Sequence, residues 1–308
     1  MPQPAITRTP TDEAALGAAA AAAGYLLWGV SVIFYKQLMD VPPFEVLAHR
    51  SVWSVLLTAA LIFALGRRTQ LAALLADRRT MLTLLGTSFL IGSNWFVFIY
   101  SINEARIVET SLGYYVNPLV SVLLGVAFLG ERLSRPQIFA VALAATGVAI
   151  FAWDLGTLPW ISLYLAFSFA AYGYLRKVSR APALEGLFVE VLMLLPLALA
   201  YLFWLSGHGG TGFETGGWYT WTFLVLTGPM TTVPLFLFTF GARRIRLTTL
   251  GLMQYLAPST QFILAVFLYG EPLAPVQLAT FGLIWVGLGI FSMESWRYER
   301  DLRRVARG

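Results

Sequence analysis

Ten stretches of about 20 apolar residues, separated by short polar or Gly/Pro-bearing breaks, fix the class of this chain before any motif is considered. At a rise of about 1.5 Å per residue, each is as long as a bilayer's hydrocarbon core is thick. A backbone in lipid must satisfy its own hydrogen bonds, as helices or as a closed barrel. Barrel strands alternate in segments of about ten residues, whereas these runs are twice as long and do not alternate. The chain therefore reads as an all-α polytopic membrane protein. Its 58% hydrophobic and 12% charged residues compare with roughly 45–50% and about 25% in a soluble domain.

The predicted spans cover 16–38, 44–65, 80–101, 107–129, 136–153, 158–175, 184–205, 218–240, 247–269 and 274–293. Pro42, Pro43, Gly66, Gly130 and Pro136 punctuate them as helix-start and helix-stop residues do. Residues 1–15 read as a disordered cytoplasmic tail and 294–308 as a basic cytoplasmic tail. The segment 206–217, SGHGGTGFETGG, reads as a flexible exposed loop, and DLGTLP at 154–159 as the boundary between halves.

The halves, 16–153 and 154–293, are copies. Residues 106–137, RIVETSLGYYVNPLVSVLLGVAFLGERLSRPQ, return as 246–277, RLTTLGLMQYLAPSTQFILAVFLYGEPLAPVQ, with 10 of 32 positions identical at a constant offset of 140. Tyr115 pairs with Tyr255, Pro118 with Pro258, Gly130 with Gly270 and Glu131 with Glu271, and the register persists to Gly147 and Gly287.

Basic residues give the expected orientation. With the N-terminus inside, 18 of the 21 lysines and arginines fall in cytoplasmic segments, and Lys36, Arg50 and Arg106 are left near the outer side. Both termini are expected in the cytoplasm and the 206–217 loop outside. An odd number of spans, five, separates repeat-equivalent positions, so the two halves are expected to be inverted. Secondary carriers use that construction to form two conformations around a site at the repeat interface.

Polar residues within the spans are the candidate functional groups, because an ionisable side chain in hydrocarbon must pair, snorkel or face a wet cavity. Lys36, His49, Arg50, Asn94, Tyr115, Asn117, Gln254 and Tyr255 are the candidates for substrate binding. For Lys36 and Arg50, structural pairing is the competing reading. Glu45 and His49 share one face of the second span, either as a cap or rim pair or as part of the site, while Arg50 lies about 100° away. Pro118 and Pro258 each remove one helical hydrogen bond at equivalent depths and are candidate hinges. Glu131 and Glu271, at helix ends, read as structural.

The chain has no cysteine and two histidines, which leaves no thiolate or histidine-rich metal site. No nucleotide loop or hydrolase elbow occurs, so no enzyme activity and no cofactor are expected. The net charge of +5 sits in loops beside spans and points to lipid rather than nucleic acid.

The runs GYLLWGVSVIFYK (24–36), EVLAHRSVWS (45–54), IGSNWFVFIY (91–100), the 109–132 run, FSFAAYGYLRK (167–177), TTVPLFLF (231–238) and STQFILAVFLYGE (259–271) closely resemble the RarD group of the EamA family, within the drug/metabolite transporter superfamily. The resemblance covers roughly 17–300. It implies ten transmembrane helices in two inverted five-helix repeats, a bacterial inner-membrane location, and transport of a small metabolite, amino-acid-like compound or drug. Trp28, Gly29, Lys36, His49, Arg50, Asn94, Trp95, Tyr115, Asn117 and Pro118 match characteristic family positions; Val32 stands where the family often has proline. The implied partners are a small-molecule substrate, the bilayer and a candidate coupling proton or ion, with monomer and homodimer both open. The alternative is a membrane sensor or assembly partner without transport.

Overall fold

The computed structural model describes residues 10–305 except 105, 155–159 and 271–274. The expected inter-half linker and the second-copy Glu271 thus lie outside the described residues, as do the side chains of 107–109. The chain forms α1 (Pro10–Tyr35), a 3-10 turn (Lys36–Leu38), α2 (Pro43–Ala64), α3 (Arg68–Ala76), α4 (Arg78–Asn103), α5 (Ile107–Leu129) and α6 (Arg135–Asp154). It continues with α7 (Trp160–Val178), α8 (Ala183–Ser206), α9 (Gly212–Thr215), α10 (Trp218–Ala242), α11 (Leu247–Met253), α12 (Leu256–Phe267) and α13 (Pro275–Val305).

Eight helical stretches among the described residues are long and apolar enough to cross a membrane, counting α11 and α12 as one. Every expected span overlaps a helix among the described residues, but two fall short of that standard. In α7 the apolar run is diluted by Ser162, Ser168, Arg176 and Lys177, and in α13 the apolar part is only Leu278–Glu294.

Helix ends follow local chemistry. Pro42 and Pro43 open α2, where a missing N–H costs nothing. Gly130 closes α5 in the left-handed conformation (φ 62°), with the Glu131 N–H returning to the Gly125 carbonyl, and its repeat equivalent Gly270 has φ 66°. Asp77 caps α4, accepting from the Arg79 and Thr80 N–H groups (3.1 and 3.3 Å) and the Thr80 hydroxyl (2.6 Å). The Thr80 hydroxyl, chiefly, holds the Asp77 carboxyl below its usual range.

Three segments are more helical than the sequence reading expects. Helix α1 begins at Pro10, inside the expected tail, with Asp12 and Glu13 in its first turn where the helix dipole favours acids. Helix α13 runs to Val305 through the expected basic tail, with Glu294 and Arg297 three apart on it. Helix α3 folds in the charged break between the second and third spans.

Packing pairs the halves systematically. Helices α2 with α8, α5 with α11, and α6 with α13 join repeat equivalents, while the α1–α10 contact is mirrored by α7–α4, and α1–α12 by α7–α5. The α6–α13 crossing is reciprocal to the residue. A Cβ on Gly147 would lie 3.0 Å from the Thr280 carbonyl oxygen, and one on Gly287 would lie 2.7 Å from that of Ala140. Each contact maps onto the other under the offset of 140.

Candidate functional site

A cavity of about 560 Å³ lies between the halves. It extends from Gln254, Ala257 and Asn117 to the turn between α1 and α2, where Lys36, Met39 and Pro43 form its mouth. Met39 there is 77% exposed. The opposite end is shut by rings: Trp28 lies 5.8 Å from Tyr25, 5.9 Å from Phe238 and 5.8 Å from Phe169, and Tyr172 stacks on Phe238 at 6.0 Å. The Tyr25 hydroxyl donates to the Leu250 carbonyl (3.0 Å), tying this floor to α11.

Beneath the floor is a buried polar cluster. Glu190 accepts from the Thr87 hydroxyl (2.6 Å) and the Tyr172 hydroxyl (3.2 Å), and its carboxylate lies 3.5 Å from Nε of Arg176, which is fully buried. Nearer the end, Glu131 caps the N-terminus of α11, accepting from the Leu247 and Thr248 N–H groups at 2.6 and 2.8 Å. This gives the first-copy glutamate the structural part its sequence position suggests.

Six of the residues singled out in the sequence line the cavity: Lys36, Arg50, Asn94, Asn117, Gln254 and Pro258. Arg50 donates from Nε to the Thr231 hydroxyl (2.9 Å), and its guanidinium carbon lies 4.7 Å from the Trp95 ring centre and 5.7 Å from that of Tyr35. The Lys36 ammonium sits 3.1 Å over the Tyr269 ring. Asn94 and Asn117 spend their amide donors on α7, at the Leu165 and Ala166 carbonyls (3.0 Å each), and so clamp α4 and α5 to it.

Four others lie off the cavity wall. The Tyr115 ring packs edge-on between Phe151 and Phe281, 5.4 Å from each, and the buried Tyr255 donates to the Tyr115 carbonyl (3.0 Å). These repeat-equivalent tyrosines meet each other. Pro118 is buried inside the unbroken α5, with its carbonyl 3.0 Å from where a Cβ on Gly251 would be. His49 stacks on Phe213 at 5.4 Å and lies 3.7 Å from Glu45, on a different face of α2 from Arg50.

Phe213 belongs to the 206–217 segment, which is more ordered than its glycines suggest. Thr211 and Glu214 form a reciprocal capping box around α9, and Ser206 donates to Glu214 (2.7 Å). These bonds, the Thr211 N–H foremost, hold the Glu214 carboxyl below its usual range. The signal was the spacing Thr-x-x-Glu at 211–214. Sequence reasoning also passed over Gln261, whose amide reaches the Trp28 carbonyl (3.4 Å), and Tyr35; both line the cavity.

At Gln254 and Tyr255 the ninth predicted span divides into α11 and α12. The Gln254, Tyr255 and Ala257 N–H groups bond three residues back, and Pro258 has no N–H to offer the Gln254 carbonyl, which Ala257 takes instead. Among the described residues, the lining holds the cations Lys36 and Arg50, amides, and eight aromatic or hydroxyl-bearing side chains beside aliphatics, but no carboxylate. The described residues hold no cluster of three or more potential metal ligands.

Comparisons with known proteins fit this architecture. Residues 15–153 match the EamA-like transporter family. The chain is 44% identical over 295 residues to an uncharacterized transporter of Vibrio cholerae, covering 96% of this chain and 97% of that one. It is 40% identical to the RarD protein of Escherichia coli (91% and 94% covered) and 33% identical to a chloramphenicol-sensitive RarD protein of Pseudomonas aeruginosa (89% and 91%). A solved crystal structure superposes with a TM-score of 0.68 at 17% identity, covering 90% of this chain and 97% of that chain, which speaks to the fold alone.

Proposed function

Because the chain belongs to the EamA/RarD family of the drug/metabolite transporter superfamily, a family of membrane transporters rather than enzymes, we propose that it is a secondary carrier moving a small metabolite, amino-acid-like compound or drug by alternating access. One observation carries the reading. The cavity is built from both halves, with a mouth at one end and an aromatic seal at the other, which is one of the two states such a carrier needs.

In this reading ten helices form two inverted five-helix halves in the bacterial inner membrane, both termini are cytoplasmic, and the mouth beside Lys36 faces outward. The reciprocal α6–α13 crossing supports a pseudo-two-fold relation, and the clustered basic residues support the orientation. Inward opening would part the mouth's walls from each other less and the seal more, with the α11–α12 junction at Gln254 to Pro258 flexing. Its tightened, three-residue hydrogen bonds leave less to break there than in the continuous α5 around Pro118. Lys36, Arg50, Asn94, Asn117 and Gln254 would face the substrate. His49, Tyr115 and Tyr255 would act through packing.

The test is counterflow. Purified protein in liposomes loaded with unlabelled compounds is offered the same compounds labelled, across carboxylates, amino acids, amines and neutral drugs, with and without a proton gradient. Saturable accumulation above protein-free liposomes is expected for at least one class. Rates equal to protein-free liposomes for every class would favour the sensor or assembly reading.

A further inference from the structure

Among the described residues the cavity's charge is one-sided. Arg50 and Lys36 are both cations, and no carboxylate among the described residues lines the space with them. Three described acids of the surrounding helices are engaged elsewhere: Glu45 is buried beside His49, and Glu190 and Glu131 lie beyond the aromatic seal. A cation held in a low-dielectric space without a counter-ion is costly, and a ligand that brings the missing charge recovers that cost.

Arg50 is also held ready. Its Nε is fixed by Thr231 (2.9 Å) and its plane lies against Trp95 (4.7 Å). Its two terminal nitrogens have no protein hydrogen-bond partner among the described residues. Two parallel N–H donors on a fixed plane match one carboxylate. The same cavity is lined by Phe98 and Tyr114, with Trp28 and Phe169 at its closed end, flat apolar surfaces suited to a ring or compact apolar body. Gln254, without a side-chain partner among the described residues, lies at the inner end.

We propose that the cargo is a small organic monoanion with a flat or compact apolar body, its carboxylate seated on Arg50 and its body between the aromatic walls, with Lys36 attracting it at the mouth. This rests on the carrier reading and narrows it. An amino-acid zwitterion brings an ammonium for which the described wall offers no acid, so it binds less well than the anion, and an amine is disfavoured most.

The experiment uses four compounds that share one body: 3-phenylpropionate, phenylalanine, 3-phenylpropanamide and 3-phenylpropylamine. Their binding to the detergent-purified full chain is measured by calorimetry. The acid is expected to bind at least about tenfold more tightly than the amide and the amine, the scale of one charge-assisted bidentate contact, with phenylalanine between. In Arg50→Gln that preference falls to within about twofold while the amide's affinity holds, and Arg50→Lys restores part of it. An amide or amine bound as tightly as the acid, no binding by any of the four, or a well-folded Arg50→Gln protein with its preference intact would overturn the proposal. The wild-type series decides the matter even where the variants do not fold. Anion binding without counterflow would instead defeat the carrier reading, and counterflow of amines with no anion binding would defeat the proposal and leave the carrier.

Discussion

Replacing Glu190 by leucine is expected to destabilise the folded bundle by about 3–5 kcal/mol, the usual cost of stripping one partner from a buried ion pair. Arg176 is 0% exposed, its Nε lies 3.5 Å from the Glu190 carboxylate, and its remaining bonds to the Pro182 and Ala183 carbonyls are long, at 3.4 and 3.3 Å. The substitution leaves a guanidinium without counter-charge and also takes the carboxylate acceptor from the Thr87 and Tyr172 hydroxyls, Thr87 keeping the Leu84 carbonyl at 3.0 Å. Glu190→Gln, which keeps the volume and an acceptor, should cost less. The Arg176→Leu/Glu190→Leu double variant should recover much of the loss, since a buried pair is worth little against apolar side chains of similar size. Thermal melting of the purified proteins reads all three, and a Glu190→Leu midpoint equal to wild type would show that this cluster is not a support of the fold.

The second large effect belongs to the α6–α13 crossing. A Cβ on Gly287 would stand 2.7 Å from the Ala140 carbonyl oxygen, a backbone atom with no rotamer by which to yield. Gly287→Ala should therefore force the helices apart, at roughly the 1–3 kcal/mol typical of overpacking, and Gly287→Val more. Gly147→Ala should cost less because its nearest backbone oxygen is 3.0 Å away. Melting temperatures in the order wild type, Gly147→Ala, Gly287→Ala, Gly287→Val are expected. A Gly287→Val protein as stable as wild type would mean that the crossing is looser than described. Close approach through small residues is the usual basis of helix association in lipid, where apolar side chains gain nothing by leaving hydrocarbon for one another.

Much of this was legible because membranes impose length and punctuation. Pro42 and Pro43 set the start of α2, and Gly130 and Gly270 mark equivalent helix ends with almost equal φ. Polar residues in spans found much of the cavity, since Arg50, Asn94, Asn117 and Gln254 all line it. Helical phase separated His49 from Arg50 as their one-residue spacing requires, and the structure puts them on opposite duties.

What was not legible depends on which face a neighbour covers. Tyr115 and Tyr255 sit one turn before their prolines, but each meets the other copy rather than the cavity, and the Tyr255 hydroxyl bonds to the Tyr115 carbonyl. The two copies also differ in backbone. Asn117 anchors α5 to the Ala166 carbonyl beside Pro118, and the helix runs on. The second copy has Ala257 there, without that anchor, and its helix divides at Gln254 and Tyr255. Helices α3 and α9 escaped notice because short surface helices have caps rather than apolar periodicity as their signature, as in Thr211 and Glu214.

Alternating access is tested most directly by asking from which sides the cavity can be reached. The chain has no cysteine of its own, so Val32→Cys places a single thiol on the cavity wall. The exposed positions Thr69→Cys in α3 and Thr215→Cys at the end of α9 serve as references for the sides proposed as inner and outer. A membrane-impermeant maleimide is applied to intact cells and to inverted vesicles. The account predicts that Thr215→Cys reacts only in cells, that Thr69→Cys reacts only in inverted vesicles, and that Val32→Cys reacts in both, from whichever side the cavity is open. Val32→Cys labelling from one side only, while both references behave as expected, would contradict it.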